Sequence, residues 1–83
     1  MKTIKTKYQV DGSEEPCYEV TSDDGYTKVR IAPYYHIIRS DSLLVTQFLD
    51  GEYNSSDEIS GDFNSLTKRG ATEIALKMCV YLR

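Results

Sequence analysis

The sequence predicts an α+β domain: an antiparallel sheet of three to five strands in a meander, with one C-terminal helix packed on one face. Three observations carry that prediction. Stretches of alternating apolar and polar residues recur from the N-terminus, beginning with "TIKTKYQV". Asp-Gly pairs, a hairpin signal, punctuate them at Asp11-Gly12 and Asp24-Gly25. The last eighteen residues, "LTKRGATEIALKMCVYLR", switch to helical spacing.

In the first stretch Ile4, Thr6, Tyr8 and Val10 share one face, and Lys5, Lys7 and Gln9 the other, as in a half-buried strand. "CYEVTS" is a second strand, with Tyr18 and Val20 on one face. "YTKVRIA" is a third, with Val29 and Ile31 inward and Lys28 and Arg30 outward. Tight turns between them make their spatial order sequential. Pro33 interrupts or kinks the next stretch, "YYHIIRS", whose residue types can continue the meander. "SDSLLVTQFLDG" fits a strand through Leu43, Val45 and Leu49, or a helix capped by Asp41 or Ser42 and ended by Gly51. Val45, Thr46 and Phe48 tip the balance to strand. "GEYNSSDEISGDFNS" reads as a polar connector with at most a short edge strand around Ile59. In the terminal helix, Ala71, Ile74, Ala75, Met78, Cys79 and Leu82 form the apolar stripe. Glu73 and Lys77 stand four apart on its far side, and Asn64, Ser65 or Thr67 can cap its start.

Eighty-three residues make a single domain, 1–83, whose core is necessarily small. A chain 40% hydrophobic and 28% charged is of globular rather than disordered composition. No apolar run approaches the ~20 residues of a membrane helix, and "MKTIKTKYQV" lacks the apolar segment of a signal peptide. The expectation is a cytoplasmic protein with no membrane association, with Cys17 and Cys79 reduced and partly buried.

Charge alternates in blocks. Residues 1–10 carry Lys2, Lys5 and Lys7 and no acid; residues 11–25 carry six acids and no cation. Residues 26–39 carry Lys28, Arg30 and Arg39, and residues 40–64 again carry six acids and no cation. The remainder holds Lys68, Arg69, Lys77 and Arg83 against Glu73. Acid on turns and lysine on strands is in part local preference. The same pattern also describes two patches, an acidic one for a basic partner and a basic one for an anion.

No residue pattern argues for catalysis. His36 is the single histidine and stands among Tyr34, Tyr35, Ile37 and Ile38, a packing environment. Nucleophile-elbow, phosphate-loop and Cys/His ligand spacings are missing from the sequence. "DGEYNSSDE" resembles a calcium loop in composition, without the glycine and glutamate that such a loop needs at its sixth and twelfth positions. The expectation is a non-enzymatic protein with no cofactor and no metal. Seven tyrosines exceed what so small a core can hold, so some either pad cross-strand pairs on the sheet surface or serve as contact residues.

Lys68 and Arg69 stand at the helix start, where the dipole is positive and cations are disfavoured. Either they pair with Asp57, Glu58 or Asp62, or they and the free N–H groups hold an anion. Thr67, Lys68, Arg69, Ala71 and Ala75 resemble the last helix of double-stranded RNA-binding domains. Pro16, Tyr18, Glu19 and Val20 are similar to that family's first strand, and Pro33 and His36 to its minor-groove loop, one residue longer here. The resemblance implies a β-β-β-α arrangement and phosphate contacts by Lys68 and Arg69. Lys5 and Lys7 would assist.

In general character the chain also resembles the small acidic proteins with which phages block host nucleic-acid machinery, anti-CRISPR proteins among them. The leading expectation is therefore an inhibitor or adaptor, monomeric or homodimeric, that occludes a nucleic-acid-binding site on a basic protein partner. It would act in the host cytoplasm if phage-encoded. Its contact residues would be Asp23, Asp24, Asp57, Glu58 and Asp62, with Tyr34 and Tyr35 as anchors. Duplex RNA binding is the alternative, and docking through an open sheet edge within a larger assembly is a third reading.

Overall fold

Two hairpin turns set the sheet. In the computed structural model, which describes residues 1–34 and 41–82, Asp11 and Gly12 have φ of 47° and 81°, and Asp50 and Gly51 have 53° and 80°. Positive φ at both central residues is the hairpin geometry whose twist matches that of the strands, and Asp-Gly adopts it readily. The strands are β1 (Lys2–Val10), β2 (Ser13–Thr21), β3 (Thr27–Tyr34), β4 (Ser42–Leu49) and β5 (Glu52–Ser60). All neighbours are antiparallel, in the spatial order β1-β2-β3-β4-β5. A 3-10 turn at Phe63–Ser65 leads to α1 (Lys68–Met78), and a second at Val80–Leu82 follows it. The fold class is thus the expected α+β meander with one C-terminal helix, at the upper end of the strand count. No helix among the described residues is long and apolar enough to cross a membrane.

The ambiguous 43–50 stretch is strand as far as Leu49, and Asp50 begins the turn. The segment after it is far more regular than its composition suggests, because β5 runs for nine residues. An edge strand needs only a ladder on one side, and β4 supplies it from Ser42 to Leu49. The ladder shifts register between Gln47 and Phe48, leaving Asn54 as the extra residue of a bulge. Residues 35–40, with Tyr35, His36 and Arg39, lie outside the described residues.

The core forms between α1 and one sheet face. Tyr18, Val20, Val29, Ile31, Leu43 and Val45 meet Phe63, Ala71, Ala75, Cys79 and Leu82. Ala71 and Ala75 are fully buried, so the helix lies close on the sheet. Tyr18 is pinned twice, by a 2.8 Å hydrogen bond from its hydroxyl to the Leu66 carbonyl and by the Phe63 ring at 5.4 Å. Gln47 donates to the Met78 carbonyl at 3.0 Å and ties down the other end of the helix. Gly61, where the chain leaves β5 for the helix side, allows close approach; a Cβ there would sit 2.8 Å from Leu43 Cδ1.

The β1 pattern has an unexpected outcome. Register pairs Lys5 with Tyr18 and Thr3 with Val20, so the lysine side of β1 faces the helix. Thr3 meets Thr72 at 2.6 Å, and the Lys5 ammonium lies 5.7 and 5.8 Å from the Tyr18 and Phe63 ring centres. Ile4 and Val10, on the opposite face, remain 38% and 37% exposed. An edge strand reaches only the rim of the core, where a lysine stem can pack and its head stay wet.

The seam between β2 and β3 is short, running from Thr21↔Lys28 to Tyr18↔Ile31. Continuing that register would bring Pro16 opposite Pro33. Proline gives no N–H to a ladder, and two at one level end it. Each strand keeps its outer partner there, Lys7 for Pro16 and Leu43 for Pro33.

The location of the core is testable by substitution on the two faces. Ile31→Ala is expected to cost about 2–5 kcal/mol, read as a lower urea midpoint at unchanged slope. Ile4→Ser is expected to cost less than about 1 kcal/mol. The reverse ranking would place the core on the other face.

Candidate functional site

Strand order converts the charge blocks of the sequence into two oppositely charged edges. β1 carries Lys2, Lys5 and Lys7 and no acid; β5 carries Glu52, Asp57 and Glu58 and no cation. With five strands the edges stand about 19 Å apart, more than two screening lengths at physiological salt. They present separate fields to a partner.

The five acids singled out from sequence do not converge on one spot. Asp23 and Asp24 lie in the β2–β3 turn at one end of the sheet. Asp23 pairs with the N-terminal ammonium of Met1. Asp24 accepts from the Ser22 hydroxyl at 2.6 Å and the Tyr26 amide at 3.0 Å, and these bonds, the hydroxyl first, hold its carboxyl below the ordinary value. Asp57 and Glu58 pair with Val45 and Leu44, so they point to opposite faces of β5. Asp62 sits beyond the other end of β5, capping the 3-10 turn through Asn64 N–H at 3.1 Å and the Ser65 hydroxyl at 2.9 Å. Tyr34 ends β3 and is 36% exposed; Tyr35 lies outside the described residues. The aromatic that does sit on the acidic edge is Tyr53, 65% exposed, which the sequence reading had not placed at a site. The acid-rich unit is therefore the β4–β5 hairpin: Asp50 in the turn, then Glu52, Tyr53, Asp57 and Glu58 along the edge.

At the cationic helix start, one of the three capping candidates is the cap. Thr67 is the N-cap, its hydroxyl accepting from Gly70 N–H at 3.1 Å. Arg69 pairs with Glu73 at 3.6 Å, one turn along its own helix, and not with the connector acids. Lys5 lies near this end, beside the Tyr18 ring whose hydroxyl reaches Leu66. Lys7 approaches Glu14 at 4.0 Å across the β1–β2 hairpin.

The face opposite the helix has its own polar centre. Arg30 lies 4.2 Å from the Tyr8 ring centre and 4.8 Å from that of Phe48. Glu19 approaches its Nε at 4.0 Å and the Lys28 ammonium at 3.7 Å. Arg30 Nε is buried without a hydrogen-bond partner. Beside it Cys17 is fully buried, and its thiol is pushed from the ordinary 9.0 to about 11, first by burial and then by the Glu19 charge. Burial likewise raises the Tyr8 hydroxyl, against the pull of Arg30. Cys79 packs in the core on the other side of the sheet, so the two free thiols are separated by it.

The chain matches no protein-family model, and neither a curated protein nor a solved structure matches it.

Because the folded state holds the Cys17 proton more tightly than the unfolded state, its contribution is intact below pH 9 and is lost as pH rises towards 11. Chemical denaturation across that window is expected to show a smaller alkaline loss of stability in Cys17→Ala than in the parent chain. Equal losses would show that the thiol is not responsible.

Proposed function

We propose that this is a small non-enzymatic binding protein that acts by protein–protein contact, its acidic β4–β5 hairpin occupying a site on a basic partner built for nucleic acid. The observation that supports this reading is an edge strand whose own charges are all of one sign. β5 extends about 27 Å, bears three carboxylates and no cation, and is exposed at seven of its nine positions. Carboxylates along an extended strand offer a basic groove one feature of a phosphate backbone, several negative charges on a narrow ribbon. Tyr53 adds the apolar anchor that such a contact needs for affinity beyond steering. The inhibitors of phage origin named above, anti-CRISPR proteins included, are the kind of protein this reading fits. A host-cell cytoplasm is the matching compartment.

The second reading, duplex RNA binding, is favoured by the Lys68–Arg69 helix start. Arg69 is 91% exposed and Lys5 lies nearby on the basic edge. The net charge of −3 works against it, since phosphate contacts are mainly electrostatic.

One pair of variants separates the two. Under the leading reading, the chain captures a nucleic-acid-binding protein from a host lysate, and added oligonucleotide displaces it. Glu52→Lys with Asp57→Lys then weakens capture at least about tenfold while leaving the thermal midpoint within a few degrees. Lys68→Glu with Arg69→Glu leaves capture unchanged. A labelled RNA duplex shifted at physiological salt, with the shift abolished only by the second pair, would transfer the assignment to RNA.

A further inference from the structure

We infer a binding site for a small aryl oxyanion, a phosphate ester or carboxylate carried on an aromatic ring, on the sheet face opposite the helix. It adjoins the turn of the β4–β5 hairpin at Gly51, uses residues of β3 and β4 rather than the carboxylates, and goes beyond the function proposed for that hairpin. The site is a pocket of about 220 Å³ lined by Gly25, Tyr26, Lys28, Arg30, Phe48 and Gly51. That volume lies below the range of drug-sized ligand sites and suits a molecule of roughly one ring and one charged group.

Charge sets the sign of the ligand. The chain is acidic, yet this lining holds two cations and no acid. Lys28 and Arg30 both approach the same carboxylate, that of Glu19, which is 16% exposed. One positive charge is left over in a partly desolvated setting, where an anion is attracted more strongly than at an open surface.

Geometry sets the kind of anion. Arg30 is held against the Tyr8 and Phe48 rings, so its guanidinium is positioned before any ligand arrives. A guanidinium stacked on rings keeps its in-plane N–H groups for acceptors, and that fork matches the spaced oxygens of phosphate or carboxylate. One of its donors, Nε, is unused. Glu19 stands at 4.0 Å, beyond hydrogen-bond length, and Nε has no partner. A buried donor without an acceptor calls for an explanation, and a bound oxyanion that draws the Arg30–Glu19 pair into register supplies one.

The walls set the remainder of the ligand. Phe48 and Tyr26 offer ring surface beside the cations, and Tyr26 is 51% exposed. The two turns that rim the pocket contribute Gly25 and Gly51, both at positive φ and with open space where a Cβ would stand. The mouth is therefore lined by bare backbone, and a planar group can enter over it. An inorganic anion would use the cations and leave the rings idle; an aryl oxyanion uses both.

The test is a ¹H–¹⁵N titration of the full chain with phenyl phosphate, benzoate and inorganic phosphate in parallel. Saturable shifts are expected at Lys28, Arg30, Phe48 and Gly51. The better aryl ligand should bind about tenfold more tightly than inorganic phosphate, through its ring contacts. Whether phenyl phosphate or benzoate is that ligand tells which oxyanion the fork prefers. Lys28→Gln alters a side chain that is 44% exposed and outside the core, and is expected to weaken binding several-fold in a folded protein. Phe48→Leu is expected to remove the preference for aryl over inorganic phosphate. Shifts that never saturate, that map to Lys68 and Arg69, or that survive Lys28→Gln unchanged would each overturn the site.

Discussion

A single eleven-residue helix has one sheet face to cover, and the rest of the molecule follows from that limit. Its small residues, Ala71 and Ala75, let it settle onto Val20, Val29 and Ile31, with Leu43 and Val45 completing the floor. Tyr18 joins the two layers at one end, donating to the Leu66 carbonyl just before the helix, and Gln47 at the other, donating to the Met78 carbonyl of its last turn. The last carbonyls of a helix lack intrahelical partners, so the Gln47 bond satisfies one of them, and the two bonds together fix where the helix can lie.

The second face has no described helix over it and is organised differently. Its centre is polar: Arg30 between aromatic rings, Glu19 shared by two cations, and the buried Thr46 in register with Arg30. Long amphipathic side chains can cover apolar surface with their stems and rings while their charges stay near water. Such a surface shields strand residues such as Cys17. It also concentrates positive charge and aromatic area in one place, the ingredients of a recognition site as much as of a protective layer.

Edges are the third consequence. A five-stranded open sheet has two, and charge on an edge strand discourages indiscriminate pairing. Here the two edges are protected by opposite signs. Lysine on β1 and carboxylate on β5 each repel a second copy of the same edge, which works against a symmetric edge-to-edge dimer. The distance between them keeps either field from cancelling the other at physiological salt. The edge charges thus also give the molecule an electrical direction, positive at β1 and negative at β5.

Much of this was legible along the chain. Val29 and Ile31 inward with Lys28 and Arg30 outward, the Ala71–Leu82 stripe, and the Asp11-Gly12 hairpin are local signals, and each element formed where its period said it would. β5 was foreseen only as a short edge strand around Ile59, because its sequence has no apolar face; the clue to its full length was Asp50-Gly51, the same hairpin pair already used at Asp11-Gly12. Nothing in "TIKTKYQV" tells which of its faces meets the helix, because an edge strand's alternation is the same whichever side the core lies on. The acids of the β2–β3 turn and of β5 read as one patch in sequence, yet strands that zigzag send neighbouring residues to opposite faces and distant turns to different ends. Composition and periodicity by themselves determined the layers, the strand count to within two, and the sign of each segment. Which side the helix covers, which charges meet, and the gathering of Tyr8, Arg30 and Phe48 from three strands were decided only in three dimensions, because register across the sheet depends on pairings that no single segment contains.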